Sequence, residues 1–216
     1  MLTNDQIQNL RRNYASRELD ECDAIANPID QFTLWFREAL DAAVWEPNAM
    51  TLATANVDFK PSARIVLLKG VEADGFVFFT NYNSRKGREL LWNPYACLVF
   101  LWHELERQVR IEGRVEKITR EESITYFRSR PEGSRIGAWA SNQSEVVDSR
   151  EQLEKSFEQL TASLQGTEID CPEHWGGYKV IPYEIEFWQG RPNRLHDRIV
   201  YTAEPNNNWH KKRLAP

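Results

Sequence analysis

The chain predicts an α+β protein built on an antiparallel β-barrel, and three observations carry that expectation. At Ala49 the apolar period changes from helical to alternating, and it stays strand-like for roughly seventy residues. Five runs in that stretch, residues 50–57, 62–69, 75–80, 96–102 and 108–118, follow one another too closely for the helical crossovers that parallel strands require. Neither Gly-x-Gly-x-x-Gly nor Gly-x-x-x-x-Gly-Lys-Ser/Thr occurs, so Rossmann and P-loop nucleotide sites are not supported.

The elements follow in order. Thr3 and Gln6 form a capping-box pattern ahead of Ile7, Leu10 and Tyr14 at helical spacing. A short helix carrying Arg11 and Arg12 is expected there, within a mobile N-terminal segment of about 26 residues. Asn27 before Pro28 joins an N-cap to a first-turn proline, and Phe32, Trp35, Phe36, Ala39, Leu40 and Ala43 then form the apolar face of a helix ending before Pro47. The strands come next, with turns over 58–61 and 72–75 and a helix over 84–91 that opens with Arg85 and Lys86.

Thr119 and Glu122 make a second capping box for a helix running to about Arg130, where Pro131 stops it. Tyr126 and Arg130 lie four apart on one face; the spacing suits an anion-binding pair and equally a tyrosine packed beneath a surface arginine. Ser134 is expected to cap a short segment over 135–140, whose N-terminal amides could receive an anion. Ser149 and Gln152 form a third capping box, ahead of an amphipathic helix that packs through Leu153, Phe157, Leu160 and Leu164. A turn over 172–177, a strand over 178–188, and a strand over 198–202 paired with 209–214 close the chain.

The 216 residues, 41% hydrophobic and 27% charged, suit one compact domain spanning 1–216. No apolar run reaches bilayer length and no signal pattern opens the chain, so a cytoplasmic protein with no membrane partner is expected. Cys22, Cys97 and Cys171 are odd in number and far apart, which suggests neither a disulfide framework nor a metal site. Residues 188–216 carry six Lys/Arg and two Asp/Glu, a net of +4, which against the whole-chain −5 leaves −9 for residues 1–187. So local a basic region fits a small anionic ligand better than nucleic acid.

The basic end begins with the stretch 188–198, Trp-Gln-Gly-Arg-Pro-Asn-Arg-Leu-His-Asp-Arg. It follows an alternating run and gathers three arginines and a histidine, side chains suited to binding phosphate or carboxylate and to exchanging protons near neutral pH. Taken alone it reads as well as a basic surface turn closed by Gly190 and Pro192.

Several motifs in series, covering nearly the whole chain, bear on its identity. They are Arg64-Ile-Val-Leu-Leu-Lys69, Phe79-Thr-Asn-Tyr-Asn-Ser-Arg-Lys86, Arg107-Gln-Val-Arg110, Tyr126-Phe-Arg-Ser-Arg-Pro131, Gly137-Ala-Trp-Ala-Ser141 with Gln143-Ser144, Trp188-Gln-Gly-Arg191 and Arg194-Leu-His-Asp-Arg198. In these the chain resembles the pyridoxine (pyridoxamine) 5'-phosphate oxidases, flavin enzymes that make pyridoxal 5'-phosphate. The resemblance implies an antiparallel split β-barrel with flanking helices, and a homodimer holding FMN at the subunit interface, with residues from about 172 serving dimerisation and the active site.

By the same resemblance, Arg64, Arg85 and Lys86 hold the FMN phosphate, with Thr80 and Ser144 assisting. Ile65, Val66, Leu67, Leu68, Lys69, Phe79, Gln108, Gln143, Trp188 and Arg198 contact the rest of the cofactor. Lys69, Tyr126, Arg130 and Ser134 take the substrate phosphate. Arg194 and His196, with Leu195 between them, cover the substrate ring as the catalytic pair, and Arg11, Arg12 and Tyr14 close over it. Two parity arguments accompany these assignments. Arg64 and Lys69, five apart in a regular strand, would point to opposite faces, while Arg194 and His196, two apart in an extended segment, would share one. The implied reaction oxidises pyridoxamine or pyridoxine 5'-phosphate with O2 as electron acceptor. Two rival readings are a split-barrel FMN reductase using a nicotinamide and a non-catalytic module binding FMN or pyridoxal phosphate; the first has no need of the Tyr126, Arg130 and Ser134 set, the second none of Arg194 and His196.

Overall fold

A computed structural model describes residue 14, residues 17–205 and residues 208–216. The expected N-terminal helix, with Arg11 and Arg12, lies outside the described residues. The first described helix, α1 (Pro28–Asp41), begins as its sequence dictates: the Asn27 side chain accepts a 2.8 Å hydrogen bond from the Ile29 amide, and Pro28 occupies the first turn. It buries Ile29, Phe32, Trp35 and Ala39.

The strands are β1 (Ala49–Ala55), β2 (Pro61–Leu67), β3 (Gly70–Glu72), β4 (Gly75–Asn81), β5 (Tyr95–Trp102), β6 (Arg107–Lys117), β7 (Trp175–Gln189), β8 (Asp197–Ala203) and β9 (Trp209–Arg213). Helix α2 (Arg85–Trp92) precedes β5, and α3 (Arg120–Ser129), α4 (Glu132–Ala140) and α5 (Arg150–Leu164) lie between β6 and β7. The strands hydrogen-bond in the order β2-β1-β5-β6-β7-β4-β3, with β8 also on β7 and β9 on β8. Antiparallel registers place Met50 opposite Val66, Thr80 opposite Gly176, Trp188 opposite Arg198 and Ala203 opposite Trp209. Among the described residues no helix is long and apolar enough to cross a membrane.

The chain divides into two compact units. One comprises the residues up to Pro47, Val99–Ile111 and Tyr183–Pro216. Aromatic edges fill its interior: Phe32 meets Phe100 at 5.0 Å, Trp35 meets Phe187 at 5.1 Å, and Phe187 meets Tyr201 at 5.6 Å. The Tyr201 hydroxyl is satisfied by donating to the Ile25 carbonyl at 2.7 Å. Arg107 is buried here with its guanidinium 4.2 Å over the Trp35 ring, paired with Glu38 and donating to Gln189.

The other unit comprises Asn48–Leu98 and Glu112–Pro182. Leu52, Phe76, Phe78, Leu98 and Val180 are fully buried in it, and Phe127, Ile136, Ile169 and Trp175 form a second cluster against which Leu160 and Leu164 pack. Gly87 is required at the start of α2, because a Cβ there would lie 2.1 Å from the Tyr82 carbonyl oxygen.

Three local expectations change. Helix α4 starts at Glu132 with Pro131 as its N-cap, so Ser134 belongs to the first turn, where its amide donates to the Pro131 carbonyl at 2.9 Å. The proline that stops α3 thereby opens the next helix. Strand β7 begins at Trp175, inside the expected turn, because Trp175 pairs with Asn81. At α5 the Ser149 hydroxyl caps the Gln152 amide, but the Gln152 side chain accepts from Asp148 rather than Ser149, leaving the capping box half made.

Candidate active site

A cavity of about 670 Å³ opens in the unit that holds β1–β4. Its walls include Arg64, Ile65, Val66, Leu67 and Lys69 from β2 and the link after it, Phe79 and Thr80 from β4, Lys86 from α2, and Tyr126, Arg130, Ser134 and Gln143. That volume lies in the range of small-molecule sites. Twelve residues expected from the motifs thus meet in one place.

One group of cations in the lining is organised by a carboxylate. Alternation along β2 turns Ser62, Arg64 and Val66 to the more covered side and leaves Ile65 largely exposed. The Arg64 guanidinium donates to the Leu52 carbonyl at 3.1 Å and the Thr54 hydroxyl at 2.6 Å, and approaches Glu89 at 3.3 Å. Glu89 is buried and also accepts from Thr54, Ser62 and Arg85. Burial opposes its ionisation, but the hydrogen bonds from Thr54, Ser62 and Arg85, with the charge of Arg64, outweigh it and hold the carboxyl at about 2. Lys86 donates to Gln143 at 2.9 Å and Thr80 at 3.2 Å, both neutral acceptors. Burial, then the charge of Arg64, bring its ammonium down to about 8, with Glu89 opposing.

Another part of the lining is aromatic and carries Arg130. Phe79 stacks on Tyr126 at 3.9 Å and on Trp175 at 5.4 Å, and Arg130 lies 4.6 Å over the Trp175 ring. The Nη1 of Arg130 is buried with no hydrogen-bond partner among the described residues, and burial lowers the guanidinium pKa. A buried N–H without an acceptor is costly, and an anionic oxygen in the cavity would relieve it.

The opposite-face argument for Arg64 and Lys69 does not hold. Strand β2 ends at Leu67, the Lys69 amide donates to Val77, and both side chains line this cavity. Leu68 packs into the core instead, and Arg85 is largely exposed against Glu89. Ser144 is exposed at φ 75° and is not part of the lining. Trp175, Asn81, Pro131 and Ser141 also line the cavity but were given no site role by sequence.

Gln108, Trp188, Arg194, Leu195, His196, Arg198 and Tyr14 belong to the other unit. There β7 and β8 hold Trp188 opposite Arg198, and Glu186 receives two bonds from Arg198, at 2.8 and 2.9 Å. Between the strands, Pro192–Arg194 forms a 3-10 turn with Asn193 at φ 57° and Arg194 at φ 62°. The segment is therefore not extended, and two-residue parity does not place Arg194 and His196 on one face. His196 is fixed by other means: its ring lies 4.6 Å from Trp188 and 5.6 Å from Tyr14, and its Nδ1 is 3.1 Å from the Arg191 amide. Because that amide is a donor, Nδ1 must accept, and the neutral ring carries its proton on Nε2. Burial and then Arg194 lower the His196 pKa, with Asp197 opposing.

The fold is that of an α+β split-barrel protein, and it holds a cation-lined cavity. Residues 36–163 match the family described as pyridoxamine 5'-phosphate oxidase, and residues 175–216 match the pyridoxine 5'-phosphate oxidase C-terminal dimerisation region. The chain belongs to the pyridoxamine 5'-phosphate oxidase family. It is 59% identical over 208 residues to a pyridoxine/pyridoxamine 5'-phosphate oxidase of Paraburkholderia xenovorans, covering 96% of this chain and 97% of that one. A protein of the same name from Burkholderia multivorans is 59% identical over 212 residues, covering 97% and 99%. Among solved structures, PhzG from Burkholderia lata in complex with tetrahydrophenazine-1-carboxylic acid superposes with TM-score 0.87 at 31% identity, covering 94% of this chain and 100% of that chain. A pyridoxamine 5'-phosphate oxidase-related, FMN binding protein of Nostoc punctiforme has TM-score 0.70 at 16% identity over 86% and 97%, which speaks to the fold alone.

Proposed function

We propose that this protein is an FMN-dependent oxidase converting pyridoxamine or pyridoxine 5'-phosphate to pyridoxal 5'-phosphate, in the making and salvage of vitamin B6. The observation that carries the reading is a cavity lined by two groups of cations with different neighbours: Arg64 and Lys86 beside Glu89, Thr80 and Gln143, and Arg130 over Trp175 with a buried N–H that lacks an acceptor among the described residues. Two phosphates, one on the cofactor and one on the substrate, fit two such groups. Identity of 59% over 96% of the chain to a protein named pyridoxine/pyridoxamine 5'-phosphate oxidase supports it further.

In this reading Arg64 and Lys86 hold the FMN phosphate, while Arg130, Lys69, Ser134 and Tyr126 hold that of the substrate. FMN, when bound, would supply the redox chemistry: a hydride from substrate C4' and a proton from the 4'-hydroxyl or amine together account for the two electrons and two protons that O2 takes up as H2O2. With the alcohol the reaction is balanced by O2 alone; with the amine, water also enters and ammonia leaves. The contribution of the chain is placement. His196 presents Nε2–H as a donor rather than a lone pair, so its role is to orient the substrate by hydrogen bonding, alongside Arg194. The protein acts as a homodimer with FMN where protomers meet, a reading supported by the match of residues 175–216 to a dimerisation region.

The test is to mix the FMN-loaded protein with pyridoxamine 5'-phosphate without oxygen and then admit air. The flavin band is expected to bleach and then return. No bleaching by either the amine or the alcohol would overturn the reading, and bleaching by a nicotinamide alone would make the protein a reductase. The likeness to PhzG supplies a second substrate class, because the Arg130 N–H, which has no acceptor among the described residues, would donate to a carboxylate as well as to a phosphate. A reduced phenazine carboxylate belongs in the same experiment.

A further inference from the structure

Asp197 lies between His196 and Arg198 in sequence, and its carboxylate is bonded to Leu19 near the beginning of the chain and to Arg213 near its end. Its side chain is only 17% exposed. One carboxylate oxygen accepts from the Leu19 amide at 3.1 Å, and the other pairs with Arg213 of β9 at 2.7 Å. Arg213 closes the loop by donating to the Leu19 carbonyl at 3.1 Å and by gripping the Glu21 carboxylate with two bonds of 2.7 Å. The residue before Leu19 is held from the same turn, Glu18 by Arg191 at 2.6 Å. Leu19 is thus tied through both its amide and its carbonyl while its side chain is buried.

Five residues upstream of Leu19, Tyr14 rests edge-on against Trp188 at 5.8 Å and against His196 at 5.6 Å. Its ring and Cβ fill the space over Gly190, where a Cβ would come within 2.8 to 2.9 Å of Tyr14 atoms. From this arrangement we infer that Asp197 is a positioning residue: with Arg213 it clasps the chain at Leu19 so that Tyr14 seats in the notch at Gly190, against His196. The inference rests on the reading of Tyr14 and His196 as substrate contacts, but the clasp is measurable without it.

The physical logic is one of effective concentration. Tyr14 alone contributes an aromatic edge, worth too little to hold a chain end in place. Anchoring Leu19 by two backbone bonds confines Tyr14 to the neighbourhood of its notch, so much of the ordering cost is met before substrate arrives. Asp197 is therefore expected to act on substrate affinity through the segment rather than on the chemical step.

The experiment follows two readouts on the full-length, FMN-loaded chain. Trypsin cleavage after Arg17, followed by mass, reports the clasp; KM and kcat for pyridoxamine 5'-phosphate report its consequence. For Asp197→Ala, cleavage after Arg17 should quicken by about tenfold and KM should rise by a similar factor, exceeding any fall in kcat. Asp197→Glu, which keeps the charge, should recover part of both. Arg213→Gln breaks the same clasp from β9 and should reproduce the cleavage pattern, which keeps the test decisive if Asp197→Ala fails to fold. Gly190→Ala should raise KM while cleavage after Arg17 stays at the wild-type rate, separating notch from clasp. Wild-type cleavage in both clasp variants would overturn the inference, as would a loss of kcat at unchanged KM in Asp197→Ala. If the wild type oxidises no phosphorylated pyridine, the substrate reading fails, and the cleavage arm still decides whether the clasp exists.

Discussion

The cavity and the Trp188–Arg198 turn are both rich in cations, but they differ in how those cations are matched. In the turn, Arg198 is bound twice by Glu186, and Arg191 meets Glu18 and Asp197; Arg194 has no ion pair among the described residues. Among the described residues, Lys86 in the cavity donates to neutral oxygens, Glu89 is shared by Arg64 and Arg85, and Arg130 keeps a buried donor unmet. Density of basic residues therefore does not single out one region for an anion. The proposed phosphate sites rest instead on the shortage of acceptors, because an unmatched buried cation lowers its cost only when an anion arrives.

If that contrast is right, the largest effect should come from the least satisfied group. Arg130→Ala is expected to raise KM for pyridoxamine 5'-phosphate by roughly a hundredfold, the loss of about 2–3 kcal/mol of charge-assisted hydrogen bonding. FMN titration of the same variant should show a far smaller change. Equal loss of both ligands would mean that the two cation groups of the cavity do not serve separate phosphates. The next effect belongs to Arg64→Ala, for which the FMN dissociation constant should rise by about thirtyfold and that of riboflavin, which has no phosphate, only slightly. Fluorescence quenching on the apoprotein measures both.

The same contrast explains what could be read in the sequence. Periodicity and caps are local, so α1, α3 and the five strands fell within a few residues of expectation, and the Thr119–Glu122 box is present in full. Matching of charges is not local. Asp197 meets Leu19 across 178 positions, and Glu89 meets Thr54 across 35. No spacing rule reaches that far. The parity arguments failed where they assumed regular strands: β2 stops two residues before Lys69, and Arg194 adopts a positive φ. Trp175 was hidden for a related reason, since turn-like neighbours such as Gly176 and Gly177 masked a strand that only its partner β4 reveals.

A smaller effect should appear in the pH dependence of FMN binding. With its pKa lowered to about 8, Lys86 of the empty protein is charged below that pH and neutral above it, whereas a bound phosphate favours the charged form. Binding above pH 8 must then take up a proton, so FMN affinity should fall as pH rises through 8, by several-fold over one unit. The empty protein should behave oppositely. Its unfolded chain keeps the lysine proton up to the ordinary lysine value of 10.5 while the folded chain releases it near 8, so stability gains from this group as pH rises between those values. Lys86→Met should flatten both trends, read by FMN titration and by thermal melts across pH. If the slope persists without Lys86, another group carries it.

The smallest effect tests the turn. His196 is flanked by Arg194, which lowers its pKa, and by Asp197, which raises it, while Tyr14 and Trp188 bring no charge. Arg194→Gln removes the lowering charge, so the His196 pKa should rise, visible in the proton NMR titration of its ring. The rise should be limited, because burial, the largest cause of the lowering, remains, and the Arg191 amide still requires Nδ1 as an acceptor. Protonating the ring would set two donors against each other there. An unmoved titration would mean that Arg194 points its charge away from the imidazole, and Arg194, which has no ion pair among the described residues, would then act on the substrate alone.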